Sequence, residues 1–335
     1  MRGNKGGVQN AQNITDHNAK QDGLTDKTTI FANSEANAHP QSKERLYIPY
    51  KGLNPYTEAD AGLFFGREND IQEVVNNLLA WRLTILYGKS GVGKSSILRA
   101  GVTHILNEEA QQNRVDYSGA PKLAVVVFPS LDGRFSWKDD PLASLMQQIE
   151  ATITESGCGI QPPEPGLSFV ETLSAWTDAL GGEEHDGELY LILDQFEEYF
   201  LYHANEKADG SFYTEFPRAI NCPNLQVNFL ISIREDALAS LDRFQSLIPG
   251  LFEHRLKIRH LDGRAAEEAI HKPIAYYKQH HDAAIEIEQA LVNAVLEEVQ
   301  VGKVVLGDSG LGGVDVAPKT LEEMQIETPY LQLVM

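Results

Sequence analysis

Cysteine is nearly missing from this sequence. Cys158 and Cys222 are the only two among 335 residues, and neither sits in a CxxC or a His/Cys ligand spacing. That excludes a disulfide framework and a structural zinc site, and it fits a chain kept in a reducing cytoplasm. Long apolar runs are missing too. Residues 83–87, 123–128 and 189–193 are the longest, far short of the roughly 18 that span a bilayer, and they have the length of buried strands. Residues 1–20 lack an apolar h-region, so no secretory signal is visible. Positive charge is scarce: 28 Lys and Arg stand against 48 Asp and Glu, a net charge of −20. A nucleic-acid binder carries a basic footprint, so neither specific nucleic acid nor a membrane is expected as a partner, although a local basic groove stays possible.

What is present can build a core. Hydrophobic residues make up 42% of the chain, which excludes wholesale disorder, and at roughly 150 residues per domain the length fits about two units. Residues 1–45 are polar and rich in Asn, Gln, Asp and Lys, the composition of a disordered tail. From Tyr47 the texture changes. A helical pattern (Ile71, Val74, Val75, Leu78, Leu79) leads into strand 83–87, a glycine loop and a helix over about 94–106. Strands over 123–128, 189–193, 225–233 and 255–258 alternate with helices near 141–153 and 167–180. Alternation of this kind predicts βαβ units and a parallel sheet covered on both faces. Beyond Leu261 strands are expected to stop. Residues 265–270, 274–277 and 285–299 read as helices of a small helical domain over 261–300, followed by a glycine-rich loop over 301–320 and an apolar end, 321–335.

Gly88-Lys89-Ser90-Gly91-Val92-Gly93-Lys94-Ser95 completes the Walker A pattern G-x-x-x-x-G-K-[ST], between an apolar strand and an amphipathic helix. Its glycines let successive N–H groups curl around phosphate oxygens, and the helix start adds its positive dipole end. Lys94 reaches the β- and γ-phosphates, Ser95 ligates Mg²⁺, and Ser96 is a candidate for the α-phosphate. The fold this implies is a three-layer αβα P-loop NTPase over 46–260, with sheet order 5-1-4-3-2. Asp194, ending the strand LYLIL, is the Walker B candidate for Mg²⁺. The next residue, where many ATPases place a basic carboxylate, is Gln195, which cannot accept a proton. Glu197 or Glu198 can take that role instead, with Glu198 slightly favoured, or both can simply face solvent. Hydrolysis is therefore expected to be slow or conditional. Arg234, ending the fourth strand beside the P-loop strand, is either a γ-phosphate sensor or half of a surface Arg–Asp pair.

The segments YKGLNPYTEADAGLFFGRE, GKSGVGKSSILRAGV, LILDQFEEYF and SIREDAL, in that order, resemble the STAND NTPases (signal-transduction ATPases with numerous domains). The match is to their bacterial novel-STAND branch, within the AAA+-related P-loop proteins, and covers about 48–300. The resemblance implies ATP/ADP switching, self-association on activation, and control of an attached effector, with a separate effector or sensor protein as the alternative for this chain, plausible in bacterial defence or stress signalling. It implies that Gly66 and Arg67 lie near adenine and ribose, with capping of the next helix as the plainer role for Arg67 and Glu68. It also places Pro273, of His271-Lys272-Pro273, in a proline motif touching the base, and makes TPYLQLVM the start of an incomplete winged helix. Two other functions compete with the switch: a scaffold that holds nucleotide without turnover, and a small-molecule kinase. GTP specificity is disfavoured because no N/T-K-x-D sequence follows the third strand.

Overall fold

The β-branched and leucine-rich segments form the expected strands in a computed structural model. It describes residues 50–184, 186–281, 285–301, 320–321 and 323–335. The tail read over 1–45 and nearly all of the 301–320 loop lie outside the described residues. Strands β1 (Leu83–Gly88), β2 (Leu123–Phe128), β3 (Glu188–Leu193), β4 (Val227–Arg234) and β5 (Arg255–Lys257) make one sheet ordered β2-β3-β4-β1-β5, with every pairing parallel. Read from the other edge this is 5-1-4-3-2, the P-loop NTPase order predicted above.

Strand alternation explains the three layers. Leu189, Leu191 and Leu193 of β3 enter one apolar cluster, while Tyr190 and Ile192 enter another on the opposite face. The second face is covered by α1 (Glu68–Ala80) and by α2 (94–116), the helix that leaves the glycine loop. The first is covered by α3 (Pro141–Glu155), α4 (Phe169–Gly181), α5 (Glu197–Tyr202) and α6 (Phe212–Ile220). Local chemistry sets the ends of these helices. The Asp140 carboxylate accepts the Leu142 and Ala143 amides ahead of α3, and Ser168 with Glu171 forms a capping box on α4.

Three sequence expectations change. The helix predicted over 94–106 continues to Asp116, as Lys94–Ser96, Ile97–Val102 and Thr103–Asp116, and its middle segment is π-helical. The apolar pattern fades beyond Thr103, where only Leu106 and Ala110 are buried, so periodicity stopped short of the end. Residues 265–270 and 274–277 belong to one helix, α7 (Gly263–His281), which runs through Pro273. Pro273 is buried there, and it removes one ladder hydrogen bond without ending the helix. Strands also do not stop at Leu261: β6 (Leu261–Asp262) pairs antiparallel with β7 (Gln325–Ile326), elements too short for periodicity to reveal. With α8 (Gln289–Glu298) and α9 (Thr328–Val334), these enclose a separate apolar cluster that includes Leu261, Ile270, Val292, Leu296, Ile326 and Leu331.

Candidate nucleotide site

The glycine loop follows β1 at the C-terminal edge of the sheet. Gly91 and Gly93 have φ of +79° and +96°, a left-handed conformation that favours glycine. Gly88 is confined differently, since a Cβ there would lie 2.5 Å from the Ile258 carbonyl oxygen. Val92 is buried and anchors the loop to the core. Arg67 props it from below. Its guanidinium donates to the Val92 carbonyl at 2.7 Å and the Arg259 carbonyl at 3.0 Å, and pairs with Asp70 at 2.6 Å. Arg67 occupies the N-cap position of α1 but makes no side-chain cap, while Glu68 pairs with Lys272 of α7 at 3.2 Å.

Lys94 Nζ donates to the carbonyls of Gly88 (3.0 Å) and Lys89 (3.1 Å). Burial lowers the pKa of its ammonium, against the opposing pull of Glu197 and Asp194. Ser90, Gly91, Gly93, Lys94, Ser95 and Ser96 all line one cavity of about 430 Å³. The Ser96 hydroxyl accepts the Tyr56 amide at 3.1 Å, so it also fixes the segment that precedes α1.

Asp194 is brought to the same cavity by three backbone ties. Its amide donates to the Phe128 carbonyl at 2.7 Å, its carbonyl accepts Trp137 Nε1 at 2.9 Å, and the Phe196 amide donates to Ser232 at 2.9 Å. Gln195, with φ +52°, also lines the cavity. Of the two glutamates, Glu197 faces the cavity and accepts the Arg234 amide at 3.1 Å, with burial raising its pKa. Glu198, slightly favoured on sequence, does not line the cavity, because one residue along α5 turns the side chain about 100° away. Arg234 lines the cavity, and its guanidinium pairs with Asp236.

Apolar side chains complete the cavity, with Leu53, Pro55, Tyr56, Phe64, Phe65, Leu261 and Ala269 in its lining. Pro273 is not among them. It is buried in α7 one turn beyond Ala269, on the packed side of the helix. Gly66 lies outside too: with φ +82° and Ala265 O only 2.3 Å from where a Cβ would stand, it lets the chain cross α7 and lines a neighbouring charged cleft instead. Two prolines do line the cavity, Pro55 and Pro329, and the Pro329 Cγ would lie 2.6 Å from a Cβ on Gly91. Thr328, Pro329 and Gln332 of α9 close the cavity, and Gln332 Oε1 accepts the Tyr56 hydroxyl at 3.3 Å. Sequence reasoning missed these three, although the apolar TPYLQLVM stretch was the available signal.

The donor set suits Mg-ATP. Ser95 and Asp194 offer the hard oxygen donors that Mg²⁺ takes, on the cavity that the glycine loop also lines, and apolar side chains complete the lining. Comparison with known proteins agrees at the level of family. The profile of Novel STAND NTPase 1 matches residues 49–310. A Walker-type ATPase of Pyrococcus abyssi is similar at 18% identity and TM-score 0.47, over 75% of this chain and 67% of that one. The ORC2 protein of Aeropyrum pernix, in ADPNP and ADP complexes, is similar at 15% identity and TM-score 0.44, over 63% of this chain and 52% of that one, about half its length. Domain III of the Thermotoga maritima replication initiation protein DnaA is similar at 15% identity and TM-score 0.38, over 76% and 85%. No curated protein matches the chain.

Proposed function

Because the chain belongs to the novel STAND NTPases, we propose that it is an ATP-binding, slowly hydrolysing cytoplasmic switch whose nucleotide state controls self-association in bacterial defence or stress signalling. The observation that carries this reading is the shared cavity. One set of walls comes from the P-loop and β3–β4 edge, the other from α9 and the segment before α1.

The roles follow from position. The N–H groups of the glycine loop hold the phosphates, and Lys94 exchanges the Gly88 and Lys89 carbonyls for phosphate oxygens. Ser95 and Asp194 hold Mg²⁺, which supplies neutralisation of phosphate charge. Glu197 accepts the proton of the attacking water. It is set two residues later than the position where many ATPases carry their base, which is Gln195 here, and this supports slow turnover. Arg234 exchanges Asp236 for the γ-phosphate and returns to it when that group leaves. Pro329 rests on Gly91, so a change at the phosphates moves the footing of α9 and, through it, whatever separate effector the switch serves.

A scaffold that binds without turnover is the competing reading, favoured by Gln195. Denaturing the purified protein and identifying released nucleotide tests binding. Retained ADP or ATP in the wild type, lost in Lys94→Ala, upholds the site. Steady phosphate release, abolished by Glu197→Gln, upholds the switch, while tight binding with no release upholds the scaffold.

A further inference from the structure

One buried cation takes no part in the roles above. Arg99 projects from the π-helical segment of α2, a local widening of the helix that is frequent at functional sites. Its guanidinium donates to the Pro129 carbonyl at 2.7 Å, just past the end of β2. It also lies 4.0 Å from Asp194 Oδ2, with only 12% of the Arg99 side chain and 2% of the Asp194 side chain exposed. The other carboxylate oxygen, Oδ1, accepts the Gln195 amide at 3.0 Å. Arg99 itself does not line the cavity. It stands behind Asp194 and ties the P-loop helix to the ends of β2 and β3.

The geometry points to Arg99 as the positioning residue that fixes the Asp194 carboxylate for a divalent cation, and so sets how much Mg²⁺ strengthens nucleotide binding. This rests on the reading of Asp194 as the Mg²⁺ carboxylate. Oδ1 accepts the Gln195 amide, while Oδ2 faces the Arg99 guanidinium at 4.0 Å, beyond hydrogen-bond reach, so the fixed charge biases the orientation of the carboxylate electrostatically. Without the guanidinium, Oδ2 loses the charge that faces it in a nearly buried position, Lys94 remains as the other cation acting on Asp194, and the carboxylate is freer to turn. Partners that orient metal ligands in this way affect metal affinity by about 10–100-fold. Because Arg99 has its own anchor on Pro129, it can hold this place without entering the metal's position.

The test measures ATP affinity of the full chain by calorimetry, with EDTA and with Mg²⁺, and takes the ratio as the metal gain. Arg99→Gln keeps a donor for Pro129 but removes the charge. It is expected to cut the metal gain by at least about tenfold while leaving metal-free affinity within about twofold. Arg99→Lys keeps the charge and is expected to retain the gain within about threefold. An equal gain in both variants, or a larger one in Arg99→Gln, overturns the assignment; the larger gain would mean that Arg99 repels the metal. If Arg99→Gln does not fold, Arg99→Lys decides, and a lost gain there with metal-free affinity intact overturns a role carried by charge. A wild type that binds ATP with no metal gain overturns the Asp194 reading itself, an outcome visible before any variant is made.

Discussion

At the scale of single residues, the site depends on charges held where water is scarce. Glu197 illustrates this. Burial raises its pKa, and a carboxylate can take a proton from water only when ionised, so turnover is expected to rise with pH through a midpoint above the ordinary glutamate range. Glu197→Gln should remove both the turnover and the pH step, whereas Glu198→Gln should keep both. A pH–rate profile of the three proteins checks this, and a profile moved only by Glu198→Gln would reverse the assignment. Lys94→Ala removes a charge-assisted phosphate contact, and is expected to weaken ATP by at least about 10–100-fold in a binding titration. Arg67 is a different kind of residue, since its loss strands buried backbone. Arg67→Met leaves the Val92 and Arg259 carbonyls without their donor, expected to cost about 1–3 kcal/mol in denaturant unfolding.

At the scale of elements, β3 bears on both faces of the sheet. Leu191 is fully buried, and Leu191→Ala is expected to cost about 2–5 kcal/mol of stability by chemical denaturation. The contact between loop and helix is more discriminating. Gly91→Ala meets two obstacles, a φ of +79° and the Pro329 ring. Substituting Pro329→Ala in the same chain relieves only the second. Partial recovery of ATP affinity in the double variant would show that α9 presses on the loop, and no recovery would show that backbone conformation alone decides.

The elements also show what a sequence can disclose. The strand order came with the fold that the glycine motif implies, whereas the glycine spacing itself, the apolar strand ending in Asp194 and the alternation of strand and helix were legible because each is a local pattern. Glu197 against Glu198 was not, because the two differ only in rotation about a short helix whose start the sequence does not fix. Nor was Pro329 against Pro273. Both are prolines within or at the start of helices, and tertiary contacts that include the β6–β7 pairing and the Gln300–Ile326 bridge carry α9 back to the glycine loop. The π-helical turn that carries Arg99 has no sequence signature at all.

At the scale of the whole molecule, the net charge of −20 opposes the self-association proposed for the switch. Assembly in the presence of ATP is therefore expected to grow as salt rises from about 0.05 M to 0.5 M, since the screening length shrinks with ionic strength. Sedimentation across that range checks it, and assembly that weakens with salt would point to oppositely charged faces meeting instead.

Tyr56 and Gln332 are 276 residues apart in the chain, yet they touch across the mouth of one cavity. A nucleotide bound there works as a removable staple between distant parts of the sequence. Held at a hundred times its dissociation constant, it stabilises the folded chain by about 2.7 kcal/mol, and the closed mouth shares in that gain. Segments 50–65 and 325–335 should therefore resist a protease together and lose that resistance together when the nucleotide leaves, so that a cut at either end reports what is bound in the middle.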